Sequence, residues 1–175
     1  PISTDLYLPA LPHMSRIFNV NADLVNLTLS LFMLFFAFSM LVWGPMSDKY
    51  GRKPILYTGF CIYIVASILC ANAPTVEWLI TSRCLQALGC GALSSVSMAI
   101  VKDTSHGRLM ENVLALIQTM TVLSPMLAPM LGAFLLNHLS WRGPFWVLTA
   151  CGAIAFALGL GLRETVVERT QGSPF

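Results

Sequence analysis

Hydrophobic residues run along this chain in blocks too long for a half-buried strand and too uniform for a helix with one wet face. Leu24 to Ser47 contains no charged residue, and neither does Pro54 to Val76. Each run exceeds the ~20 residues that a helix needs to cross the hydrocarbon core of a bilayer. Punctuated by Pro, Gly and short charged stretches, the pattern predicts one partial and five complete spans. They cover about 1–11, 24–46, 54–73, 78–101, 112–137 and 144–162. Pro9 and Pro12 break the partial first span, and residues 13–23 form a connection. Pro54 stands at the permissible first position of its helix. The fold class is therefore an all-α membrane protein, one packed bundle, because backbone groups in lipid are satisfied within helices.

Composition sharpens this. Charged residues make up 10% of the chain and hydrophobic residues 56%, where a soluble domain carries roughly 25% charge. The basic residues alternate by connection. Lys49, Arg52 and Lys53 share one, Lys102 and Arg108 another, Arg163 and Arg169 follow the last run, and only Arg16 and Arg142 fall between. By the positive-inside rule 47–53, 102–111 and 163–175 are cytoplasmic. Trp78, Trp141 and Trp146 mark span ends, where interfacial aromatics belong. The five cysteines lie within apolar runs without metal-ligand spacing and read as buried, inert thiols. Small residues crowd the fourth span (Ala87 to Ser97) and the sixth (Gly152 to Gly161), as close helix contacts require. The chain starts without methionine inside an apolar run, so a fragment is expected, with Gly-Ser-Pro near its end reading as linker.

Candidate chemistry starts with Arg83, about five residues inside the fourth span and so roughly 7–8 Å along it. A charge at mid-helix costs about 2.5–3.5 kcal/mol on insertion scales and ordinarily faces a bundle interior; the alternative is snorkelling to the interface. Gln86 shares its helical face. Asp5, about 10 Å deep in the first span by the same rise, is the expected partner of Arg83, unless it is merely an end-of-helix carboxylate in water. Tyr7 lies on another face. Pro125 and Pro129 loosen the fifth span, and Gln118, Thr119 and Ser124 make it polar enough for a cavity-lining helix. Between the second and third spans, Gly44 to Pro54 reads as a tight charged turn, with Asp48 and Arg52 four apart and Gly44 and Gly51 allowing close backbone approach. Asp103 and Arg108 add charge on the same side. His13, His106 and His138 are scattered near loops, with no clustered nucleophile, base or metal set, so an enzyme is not expected.

These residues resemble a family. Gly44-x-Met-Ser-Asp48-Lys49-x-Gly51-Arg52-Lys53 is similar to the signature loop of the major facilitator superfamily, and Arg83-x-x-Gln86-x-x-Gly89-x-Gly91 to its fourth-helix motif. Ala128-Pro129-Met-Leu-Gly132-Ala133 resembles the fifth-helix motif of drug:proton antiporters, with Ala128 and Ala133 replacing glycines; Ala87 departs similarly in the fourth helix. Asp5-Leu-Tyr7-Leu-Pro9-Ala-Leu-Pro12 looks like the first-helix end of the bicyclomycin/chloramphenicol-resistance branch. The resemblance implies the N-terminal six-helix half of a twelve-helix fold. Its first, second, fourth and fifth helices would line a cavity, with the third and sixth outside. Asp48, Arg52 and Asp103 would steady a cytoplasmic gate, and Asp5 and Arg83 would couple protons. The implied function is export of small drug-like compounds across the bacterial inner membrane against protons, with no cofactor, metal or nucleic acid and with the missing half as partner. A single-metabolite transporter and a non-transporting receptor or scaffold are the alternatives.

Overall fold

The computed structural model describes residues 2–6, 8–138 and 140–160. Among these, every regular element is helical: α1 (Ile2–Asp5), a 3₁₀ turn (Leu8–Ala10), α2 (Leu11–Ile17), α3 (Ala22–Tyr50), α4 (Arg52–Ala71), α5 (Val76–Thr104), α6 (Arg108–His138) and α7 (Gly143–Gly159). The helices α3, α4, α5 and α6 are long and apolar enough to cross a membrane.

Helices lie where the complete spans were expected: α3, α5 and α6 are longer than their predicted runs, α4 is of equal length, and α7, at 17 residues, is shorter than the expected 144–162. The charged stretch at 44–54 is not a long turn. Gly44, Ser47, Asp48 and Lys49 continue α3, Arg52 and Lys53 already begin α4, and the chain reverses at Gly51 alone. Gly51 has φ 96°, a conformation that L side chains rarely adopt, so glycine is required there. Pro54 is consequently the third residue of α4, within the first turn, where its missing N–H is still harmless. Residues 105–107 alone separate α5 from α6, and the connection expected at 13–23 is helical as far as Ile17. Pro12 fits the first turn of α2, whereas Pro9 lies in the 3₁₀ turn that follows the break in the first span.

α5 is the centre of the bundle, packed against α3 on one side and α4 on another. Its glycines make this possible. A Cβ added at Gly89 would sit 2.7 Å from the Tyr63 nitrogen, and one at Gly91 would run into Ser39. Ser39 Oγ uses that proximity to donate to the Leu88 carbonyl at 2.7 Å. α7 covers α4: Gly152 lies against the Tyr63 ring, and Tyr57 Oη donates to the Gly159 carbonyl at 3.2 Å. The alanines expected to pack in the same helix, Ala153, Ala155 and Ala157, are exposed instead. The broken N-terminal segment rests on α6.

Other expectations need correcting. Gly44 has nothing within 4 Å of an added Cβ, so no backbone approaches it. Trp78 and Trp146 are exposed, but Trp141 is buried, edge-on to Phe18 and Phe145 at 5.2 and 6.4 Å. Of the cysteines only Cys70 is buried; Cys61 and Cys151 are on the surface. That surface is apolar: Leu34, Phe38 and Leu41 of α3 and Met126, Met130 and Phe134 of α6 are all more than half exposed. Exposed apolar area on this scale marks contact with lipid or another protein surface.

Candidate functional site

Five helices surround a cavity of about 450 Å³. α1 contributes Thr4 and Asp5; α3 contributes Phe32, Met33 and Phe36; α5 contributes Cys90, Leu93 and Ser94; α6 contributes Thr121 and Pro125. Tyr63 of α4 also lines it, although α4 is the third span, which was expected to lie outside. α7 does stay out of the lining. Phe32 and Phe36, one turn apart, stand with parallel rings 6.3 Å between centroids, an arrangement suited to flat apolar molecules.

Asp5 is the carboxylate of this wall. It ends α1 where the first span breaks, and Ser124 Oγ of α6 donates to its Oδ2 at 2.8 Å. The direct pair with Arg83 does not form. Among the described residues the ion pairs are Arg52–Asp48 and Arg52–Asp103. The geometry explains why: α1 packs on α6, which brings Ser124 rather than Arg83 to the carboxylate.

Arg83 instead closes a network inside the bundle. Its side chain is fully buried, which rules out snorkelling. The guanidinium lies over the Phe32 ring at 4.9 Å and the Phe145 ring at 5.5 Å, and cation–π attraction is strong where water is excluded. Arg83 Nη1 donates to Gln86 Oε1 at 2.7 Å; Gln86 Nε2 donates to Ser67 Oγ at 2.7 Å; and Ser67 Oγ donates to the Tyr63 carbonyl at 2.8 Å. Arg83 and Gln86 are thus one unit, as their shared face implied. The relay runs to the backbone carbonyl of Tyr63, a residue that also lines the cavity. Arg83 reaches the same wall through Phe32.

At the Gly51 end of the bundle, Arg52 ties three helices together. Nη1 meets Asp48 Oδ1 of α3 at 2.6 Å and Ser47 Oγ at 2.5 Å, and Nε meets Asp103 Oδ2 of α5 at 3.0 Å. The Arg52 side chain is 12% exposed, while Asp48 is 65% exposed. Lys53 is half-buried beside it, without an ion pair among the described residues, and Arg108 is exposed.

The remaining candidates divide. Tyr7 lies outside the described residues. Gln118 and Thr119 are exposed and do not line the cavity, and the Thr119 hydroxyl bonds its own helix at Ala115. Pro125 lines the cavity directly. Pro129 is half-buried, and Gly132 is buried, its Cα so close to the Leu6 carbonyl that an added Cβ would lie 2.6 Å from the oxygen. Sequence reasoning missed Ser67, Phe32 and Ser47. Ser67 had a usable signal, a hydroxyl within a long apolar run, which lipid obliges to find a partner; Phe32 had none among ten phenylalanines.

The model of the family described as the Major Facilitator Superfamily matches residues 1–174. Similar proteins include the multidrug resistance protein MdtL of Shigella flexneri serotype 5b, 34% identical over 166 residues. The proteins of the same name from Escherichia coli O81 and O6:H1 are 33% identical over the same length. The alignment covers 94% of this chain but 42% of the Shigella relative, so the chain spans less than half the length of the relatives it matches.

Proposed function

Because the chain belongs to the Major Facilitator Superfamily, we propose that it forms the N-terminal six-helix half of a twelve-helix exporter in a bacterial inner membrane. Small amphipathic compounds leave in exchange for protons, by rocking of two halves around a midplane site. The observation that carries this reading is the cavity itself, in which Asp5 is the one carboxylate among the described lining residues, set in a wall that includes Phe32, Phe36, Tyr63 and Met33. Flexible and aromatic walls re-pack around different shapes, which favours many substrates over one. The name of the relatives, multidrug resistance protein, points the same way.

In this mechanism Asp5 carries the proton, and Arg83, Gln86 and Ser67 hold the opposite wall in register. The Arg52 cluster, on the cytoplasmic side by the distribution of basic residues, holds the inner ends of α3, α4 and α5 together. Ion pairs with an exposed partner are worth about 0–1 kcal/mol, weak enough to open once per transport cycle. The exposed apolar faces of α3 and α6 meet lipid and the second half.

The test uses the full-length transporter in inside-out vesicles under an imposed proton gradient. Proton release is recorded over a panel of dissimilar compounds for wild type and Asp5→Asn. Release with several compounds, lost in the variant, is expected. Release with one compound alone would turn the reading to a single-metabolite transporter, and none would remove antiport.

A further inference from the structure

Hydroxyls on a membrane helix ordinarily turn back to a carbonyl of their own helix. Thr119 and Thr121 of α6 do so, bonding Ala115 and Ile117 at 2.8 Å each. Ser124, on the same helix, does not. Its buried hydroxyl crosses to α1 and donates to Asp5, 119 residues away in sequence. Ser124, Ala128 and Gly132 are the buried residues of α6, spaced by four on one face, and Gly132 lies under the Leu6 carbonyl at the break after α1. The same stretch of α6 is short of its own ladder. Pro125 cannot donate to the Thr121 carbonyl, nor Pro129 to that of Pro125, so contacts across the face have unusual weight in setting the bend.

We propose that Ser124 is a positioning residue, which holds the Asp5 carboxylate against α6 so that proton occupancy of Asp5 and the bend of α6 change together. This rests on the reading of Asp5 as the proton carrier. An ionised carboxylate only accepts, and the Ser124 hydroxyl supplies the donor. Once protonated, Asp5 has a donor of its own: a proton on Oδ2 reverses the bond, with the carboxyl donating to the Ser124 hydroxyl, and a proton on Oδ1 weakens the charge-assisted bond to Oδ2 and adds an O–H that seeks an acceptor. The joint between α1 and α6 thus differs in the two states, beside the two prolines. Nothing else among the described residues lining the cavity duplicates this. Tyr63 of α4 and Cys90 of α5 are the other titratable side chains in the wall, α3 adds only Phe32, Met33 and Phe36, and Arg83 of α5 is stacked on Phe32.

The experiment compares wild type, Ser124→Ala, Ser124→Thr and Asp5→Asn of the full-length transporter in proteoliposomes. It records protons moved per substrate, the KM for substrate, and the infrared carboxyl band that Asp5→Asn abolishes. In Ser124→Ala the Asp5 band is expected to move and most of the proton movement per substrate to be lost, with KM nearly unchanged. Ser124→Thr, which keeps the hydroxyl, restores both. An unmoved Asp5 band in Ser124→Ala, or equal losses in the Ala and Thr variants, overturns the proposal. A wild type that exports substrate without moving protons overturns the antiport reading and this coupling together. A proton-coupled wild type with an unmoved band in Ser124→Ala overturns this proposal alone.

Discussion

Arg83 shows how one residue is defined by what surrounds it more than by its charge. A lysine there would keep the positive charge but neither the flat face stacked on Phe32 and Phe145 nor a fork aimed at Gln86. An ammonium can still sit over an aromatic ring, but leaving the buried Gln86 Oε1 without its aimed donor costs about 1–3 kcal/mol, and about 1.4 kcal/mol is a tenfold change in an equilibrium or rate. Arg83→Lys is therefore expected to lower transport at least about tenfold at unchanged protein level, and Arg83→Ala to abolish it. Initial rates of export in vesicles, normalised to transporter content, check this; equal activity of wild type and Arg83→Lys would show that charge alone suffices. Ser67→Ala is milder. It removes the acceptor of Gln86 Nε2, and leaving that buried donor unmet costs about 1–3 kcal/mol. A lower Tm of the purified protein is expected, with export partly retained.

At the scale of the helices, two glycines that look alike in sequence have opposite roles. Gly89 is wedged against the backbone of Tyr63, so an added methyl must push α4 and α5 apart. Gly44 faces open space inside a helix. Overpacking costs about 1–3 kcal/mol, whereas Gly to Ala at an unobstructed helical site gains about 0.5–1 kcal/mol. Thermal unfolding in detergent should therefore fall for Gly89→Ala and stay level or rise for Gly44→Ala. A Gly44→Ala variant as unstable as Gly89→Ala would mean that the packing of α3 is wrong. This contrast also marks the limit of what the sequence carries. Apolar runs, interrupted in α5 by Arg83, located α3 through α7, because hydropathy is a property of single residues added up. Burial of Arg83 with Gln86 was readable from their spacing, and so was the meeting of Asp48 and Arg52. The partner of Asp5 was not, because it depends on α1 ending at Asp5 and leaning on α6, a tertiary choice that no local spacing encodes. Nor was Tyr63 in the wall, since its place depends on how α4 packs against α5, where Gly89 meets the Tyr63 backbone, and not on local spacing.

For the whole molecule, the two ends of the site have contrasting strengths. The relay from Arg83 to the Tyr63 carbonyl is buried along its length, and each of its bonds is costly to break because a polar group would be left in a low dielectric. The Arg52 cluster joins the same helices at their other end through carboxylates that water reaches, Asp48 at 65% and Asp103 at 30% exposure. The alternating-access cycle proposed above would draw on this asymmetry, a fixed wall around the cavity and a Gly51 end that parts at low cost. Removing the clamp should then separate function from stability. Arg52→Ala loses ion pairs worth about 0.2–1 kcal/mol each, so the Tm should move little. The inner ends of α3, α4 and α5 are nevertheless released, and a state that should be closed becomes populated. Cysteines placed at Ser47 and Ser105 in a background free of the native thiols report this through their rate of maleimide labelling from the inner side. Faster labelling and lost export at a nearly unchanged Tm are expected. A large fall in Tm with labelling unchanged would instead make the cluster a structural brace and remove it from the transport cycle.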